Sequence, residues 1–216
     1  MKSIILSICG ILLIGSAQQC SNSKKTASFD YGKVKNGVYT NKFFRCTMTL
    51  PENWVVQSKE QMEQLAQAGK DLVAGDDQNL KALLKASEVR TANLLAAFEH
   101  EVGAPVNYNP NLMVTTENMM HSPGVKNGSD YLFLAKRFLK QSQFQYDYMS
   151  EEFEHEVING RDFYKMETRL NYAGIEIKQT FYSTIVKRFS FNLIISYVNE
   201  EQKQTLLRAV NSLKFK

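Results

Sequence analysis

Three cysteines in 216 residues are too few for a disulfide framework, and their spacing is not that of a zinc site. Neither sign of charge is in large excess: 26 Lys and Arg against 22 Asp and Glu leave a net charge of +4. No run of Lys or Arg is long enough to act as a basic arm, and no nucleic-acid motif is present, so no nucleic-acid partner is expected. The common catalytic signatures are missing as well. There is no Gly-rich phosphate loop, no Gly-x-Ser-x-Gly and no His-Glu-x-x-His, and Asp76-Asp77 lack an EF-hand frame. Without paired acid and base residues the chain does not read as an enzyme, and no cofactor is expected. Long apolar runs are also scarce. The one at the start, Ile4 to Ile14, spans 11 residues and is too short for a stable bilayer anchor.

That run belongs to a targeting leader. Lys2 precedes it, and the small residues Gly15-Ser16-Ala17 follow it, placed for cleavage after Ala17. Cys20 offers a second end point. It is followed by polar Ser21-Asn22-Ser23-Lys24-Lys25, as in a bacterial lipoprotein leader, where the cysteine is lipidated and the polar stretch is a tether. Gln19, preceded by Gln18, stands where such leaders carry a small residue. The expected organisation is a signal peptide over 1–19, a flexible tether over 20–36 and one domain over 37–216. The membrane would be reached only through lipid on Cys20.

Beyond the tether, Val38 to Asn41 reads as a short strand. Phe44, Cys46, Met48 and Leu50 then alternate with polar residues, which places Cys46 toward a core. A Cys20–Cys46 bridge is possible in an oxidising compartment, but spacing cannot establish it. Ser58 with Gln61 has capping-box spacing, and Met62, Leu65, Gly69, Leu72 and Val73 fall on one helical face. Leu80, Leu83 and Leu84 suggest a second helix packed with the first on the sheet. Thr91 to Val102 reads as a strand. Proline is scarce, yet three of the four (Pro105, Pro110, Pro123) crowd into 103–128, which predicts an irregular surface segment with an edge strand over Asn111 to Thr116. A helix follows from Ser129, then one strand from Tyr146 to Val157.

The last third is the best patterned. Gly160 to Tyr172, Ile175 to Val186 and Phe189 to Val198 each alternate with period two. Asn159-Gly160 marks a hairpin turn. The last of these strands is apolar on both faces and therefore central. Asn199 with Gln202 starts a closing helix buried through Leu206, Leu207, Val210 and Leu213.

One repeat carries candidate chemistry. Phe98-Glu99-His100-Glu101-Val102 recurs as Phe153-Glu154-His155-Glu156-Val157. If both copies were neighbouring strands, His100 and His155 would align on one face as divalent-metal ligands, with the carboxylates on the other. The competing reading is a chance repeat with solvated glutamates. Met119-Met120-His121 is a weaker, soft-metal candidate.

The order of elements resembles the Mog1/PsbP/DcrB-like family. The resemblance is carried by Tyr39-Thr40-Asn41 with Phe44, by Leu50-Pro51-Glu52-Asn53-Trp54, by Ile158-Asn159-Gly160-Arg161 with the meander, and by the ending Leu213-Lys214-Phe215. It implies an α/β/α sandwich on a predominantly antiparallel sheet of six to seven strands, with helices on both faces. It also implies a non-enzymatic binding or accessory module, and it transfers no site residue. The expectation is an exported cell-envelope protein that meets a protein partner through the 103–128 segment or the 58–88 helices. The alternative is a metal or small-ligand carrier using His100 and His155.

Overall fold

The computed structural model describes residues 29–87 and 90–216, so the expected leader, Cys9 and Cys20 lie outside the described residues. The strands are β1 (Lys33–Lys35), β2 (Val38–Asn41), β3 (Cys46–Thr49), β4 (Val55–Val56), β5 (Thr91–Phe98), β6 (Asn111–Asn118), β7 (Tyr146–Met149), β8 (Glu154–Ile158), β9 (Arg161–Tyr172), β10 (Ile175–Val186), β11 (Phe189–Tyr197) and β12 (Lys214–Phe215). The helices are α1 (Lys59–Ala74), α2 (Gln78–Ser87), α3 (Gly128–Leu139) and α4 (Glu200–Ser212). They build two antiparallel sheets. The main sheet has eight strands in the order β4-β5-β6-β11-β10-β9, with β7 and β8 following one another along the outer side of β9. The small sheet has the order β1-β2-β3-β12.

The architecture is the expected mixed α and β sandwich, because alternate residues of the main sheet feed two cores. Leu95, Ala97, Leu112, Val114, Phe191, Leu193 and Ile195 join α4 and the small sheet on one face. Ala96, Phe98, Met113, Met166, Phe181 and Ile194 meet α1, α2 and α3 on the other. Strand β11 is central, as its two apolar faces predict. In the β8–β9 hairpin, Asn159 and Gly160 both take positive φ (47° and 82°), as a two-residue Asn-Gly turn requires. The Asn159 amide also donates to the carbonyls of Asn211 and Leu213 at 2.7 and 2.8 Å, which ties this hairpin to the end of α4.

Four expectations are corrected. The main sheet has eight strands where about six to seven were expected, because the run over 146–157 is two strands, and the strands within 33–49 lie in a second sheet instead. Between β7 and β8 the chain turns at Ser150, whose backbone N–H and side chain both bond Glu167. The segment 111–116 is not an edge strand: β6 lies between β5 and β11. Its polar residues are buried and paired instead. The Thr116 hydroxyl donates to the Ser190 carbonyl at 2.6 Å, the Glu117 N–H donates to the Ser190 hydroxyl at 3.1 Å, and Tyr131 from α3 donates to the Glu117 carboxylate at 3.4 Å. Strand β5 ends at Phe98, so His100 is not in it. Finally, the folded body includes at least 29–36 of the supposed tether. Phe29 packs among Phe43, Phe44 and Phe189 with ring centroids 5.5 to 6.4 Å apart, and β1 pairs with β2.

On α1 the buried face is Met62, Ala66, Gly69 and Val73, while Leu72 remains 40% exposed. Among the described residues no helix is long and apolar enough to cross a membrane. Cys46 faces the first core as expected, and burial pushes its thiol up to about 12. The thiolate is the reactive species. Iodoacetamide at pH 8 is therefore expected to leave Cys46 unmodified in the native protein and to label it fully in denaturant. Rapid native labelling of the Cys46 peptide, read by mass spectrometry, would contradict this packing.

Candidate functional site

The main sheet is unevenly covered at its β4 edge. Strand β4 is two residues long and pairs only with Ala97 and Phe98 of β5. The next residue, Gln57, adds one further bond, its N–H donating to the Ala96 carbonyl at 2.9 Å. The chain then leaves the sheet. Ser58 caps α1 in a capping box: its hydroxyl accepts the Gln61 N–H at 3.2 Å, and its own N–H donates to the Gln61 side chain at 2.7 Å. This early exit leaves Ala92–Leu95 of β5 with no strand on their outer side among the described residues.

A groove runs along that bare edge. A cavity of about 360 Å³ is lined by Tyr31, by Met62, Ala66 and Lys70 of α1, and by Ala92 and Asn93 of β5. A second, of about 180 Å³, shares Tyr31, Lys59 and Met62 with the first and is also lined by Gln57, Leu94 and Leu95. The ammonium of Lys59 lies 5.1 Å from the Tyr31 ring centroid and 3.8 Å from the Glu63 carboxylate. Gln57 is only 4% exposed, and neither atom of its side-chain amide has a hydrogen-bond partner. A buried amide left unpaired costs about 1–3 kcal/mol, which a group offering both a donor and an acceptor would recover.

The Tyr31 side of the groove is held by Asp30. Its carboxylate accepts the N–H groups of Gly32, Lys42 and Phe43 at 2.9, 2.5 and 3.2 Å. Desolvation opposes the charge, but these three bonds outweigh it and hold the carboxyl below its ordinary value of 3.8. Because the unfolded state binds the proton more readily, this contribution is fully present above pH 3.8 and is lost as pH falls through the lower folded value. The Asp30→Asn variant is expected to show a shallower loss of stability than the parent below pH 4, read by urea unfolding at stepped pH. Identical slopes would remove Asp30 from the account.

The two histidines expected to share a metal do not come together. His100 sits in the bend after β5, exposed, with its ring nitrogen 3.9 Å from Glu99. Its backbone is clamped by Asn109, which accepts the His100 N–H at 2.9 Å and donates to its carbonyl at 2.8 Å. His155 is exposed on β8, 2.9 Å from Asp162 and edge-on to Tyr164. Four strands stand between β5 and β8, a separation on the order of 24 Å at ~4.8 Å per strand step. No single ion spans that. Of the glutamates of the second repeat, Glu154 pairs with Lys165 at 2.8 Å. Met119 is buried in the second core and Met120 is exposed, so Met119-Met120-His121 is not one ligand set. Among the described residues no group of three or more His, Cys, Asp or Glu side chains is gathered as a metal site.

Of the two surfaces expected to meet a partner, the 58–88 helices border this groove through α1, whereas 103–128 is divided by the buried β6. Gln57 and Tyr31 were not singled out in the sequence. The only local sign for Gln57 is a polar residue between two valines and a helix cap, which reads as connecting chain.

No family model and no curated protein match this chain. Among solved structures it is similar to LpqN, described as involved in cell envelope biogenesis of Mycobacterium tuberculosis, at 12% identity and a TM-score of 0.44, covering 77% of this chain and 78% of that one. It is also similar to a protein of Bacteroides thetaiotaomicron at 9% identity and a TM-score of 0.40, covering 80% of this chain and 45% of that one. Neither likeness assigns a role to a residue of this chain. The resemblance to the Mog1/PsbP/DcrB-like family accordingly rests on the sequence motifs given above.

Proposed function

We propose that this chain is an exported, non-enzymatic binding protein of the cell envelope that meets a protein partner at the groove between α1 and β5. The observation that carries the reading is the buried Gln57 amide, unpaired at both atoms, in the wall of an open groove beside a bare strand edge. An amide with both atoms unpaired, on a residue that lines a groove, supports a recognition role, since a partner bonding it would recover the cost of leaving it unmade. Export is supported by Lys2, the Ile4–Ile14 run and the small residues Gly15-Ser16-Ala17, and anchoring by Cys20.

The test is expression of the whole chain with its leader in a bacterial host, labelling with radioactive palmitate, and fractionation. The parent is expected to carry label and to sediment with membranes. The Cys20→Ser variant is expected to lose both. Recovery of full-length, unprocessed chain in the cytoplasm would overturn the export reading. An exported but unlabelled parent would overturn only the anchor.

A further inference from the structure

The geometry points to an extended polypeptide as the occupant of the α1–β5 groove, bound by adding a strand to the outer edge of β5. This inference deepens the binding reading above and rests on it. Strand addition needs a sheet edge whose backbone groups are open, a trough beside it wide enough for a chain, and side-chain contacts that fix the chain in place. All three are present. Ala92–Leu95 have no strand on that side among the described residues, because β4 stops after pairing Ala97 and Phe98. The two cavities follow those same residues, with Ala92 and Asn93 along one and Leu94 and Leu95 along the other.

The β-bulge at this point sharpens the case. The β5–β6 register shifts between Asn93 and Leu95, so Leu94 is the extra residue and has no partner on β6. The strand is bent there, and both Leu94 and Leu95 turn into the first core. An edge strand left open is a hazard that proteins usually blunt with charge or a covering element. Here α1 stands beside the edge but the cavities show that it does not fill the space. The edge is shielded from another flat sheet and remains open to a single chain.

Gln57 selects the chemistry. Its amide presents one acceptor oxygen and one donor nitrogen with neither used. An extended residue presents its own N–H and C=O side by side on one edge, so one peptide residue answers both atoms. A lone anion or cation would answer only one. The charged side chains of the lining are Lys33, Lys59 and Lys70 against the single carboxylate Glu63, which favours a peptide with acidic side chains. Met62 and Ala66 supply the apolar contact.

The probe is a phage-displayed library of random dodecapeptides, panned on the purified chain, with the best binder synthesised and titrated. Selection of acidic, β-prone sequences is expected, with new protection of the Ala92–Leu95 amides in hydrogen exchange. In the Gln57→Leu variant, affinity for that peptide is expected to fall about tenfold, the loss of roughly one well-made hydrogen-bond pair. The same variant should melt at the parent's temperature or higher, since an apolar side chain of similar size replaces an unpaired amide. Unchanged affinity in Gln57→Leu, or protection elsewhere on the chain, would overturn the proposal. So would protection of Ala92–Leu95 before any peptide is added, since the chain itself or a second copy would then already cover the edge. The two readings fail separately. A chain that is exported but binds no library peptide loses the groove assignment alone, and one that binds peptide but stays in the cytoplasm loses the envelope role alone.

Discussion

Replacing Phe191 by alanine is expected to cost about 3–5 kcal/mol of folding stability, the range for emptying a buried aromatic site. Phe191 is fully buried on the central strand β11, where it packs toward α4 and the small sheet. Its ring meets Phe44 at 5.1 Å and Phe215 at 5.3 Å, both tilted edge to face. Those partners belong to the small sheet and its approach, one at each end of the domain's chain. Phe191 is therefore where the two sheets are joined, and a cavity there is walled by β-structure that cannot collapse into it. For a chain of this size the loss should lower the melting temperature by on the order of 10 °C. The Phe133→Ala variant is the control. Phe133 lies on α3 but is 57% exposed, and its loss should stay within about 0.5 kcal/mol. Urea unfolding with both midpoint and slope measured decides the matter. A cost below about 1 kcal/mol for Phe191→Ala would mean that the aromatic cluster is loosely packed and that the two sheets are not coupled through it.

The same packing explains what was legible in the sequence. Strands β9, β10 and β11 could be read because one core-facing set of residues alternates along each, and the pattern is local. Asn159-Gly160 and the caps of α1 and α4 are local too. Strand β6 misled because its buried face carries Asn111, Thr115 and Glu117, which sit opposite Ser196, Asn192 and Ser190 across β11. Polar residues that satisfy one another in the interior look like solvated ones until both strands are in view. The N-terminal stretch misled for a similar reason. Phe29 and Val34 are too few to suggest a folded segment, but they pack on rings supplied by residues 43 to 189. The His repeat was chemically suggestive, yet nothing in it says that β5 and β8 lie near opposite edges of one sheet. The groove was invisible because it is made by where β4 stops, a property of pairing between distant segments and not of any motif. The hydrogen-bond state of Gln57 likewise appears only when every neighbour is placed.

Gly128→Ala is expected to destabilise the protein by about 2 kcal/mol or more, against the direction that helix propensity gives. Gly128 is the first residue of α3, behind the N-cap Asn127, whose side chain accepts the Asp130 N–H at 3.1 Å. In an isolated helix alanine is favoured over glycine by about 1 kcal/mol, so propensity alone predicts a gain. The tertiary structure forbids it. A Cβ on residue 128 would lie 1.9 Å from the Ser183 carbonyl oxygen and 2.6 Å from its carbon. Both are backbone atoms of β10, bonded into the middle of the main sheet, and they cannot step aside as a side chain can. The helix must move instead, and α3 carries Tyr131, Leu132, Ala135, Phe138 and Leu139 into the second core. A shift at its first turn also disturbs the Tyr131 bond to Glu117, where a carboxylate would lose a buried partner. Gly124→Ala provides the contrast. Nothing lies within 4 Å of a Cβ there and its φ is not in the left-handed region, so that change should be neutral or stabilise by about 0.4–1 kcal/mol. Opposite signs for two glycine-to-alanine changes four residues apart are the signature of a helix seated directly on backbone. If Gly128→Ala proves as stable as the parent, α3 does not approach β10 this closely, and the second core is packed differently from the arrangement described above.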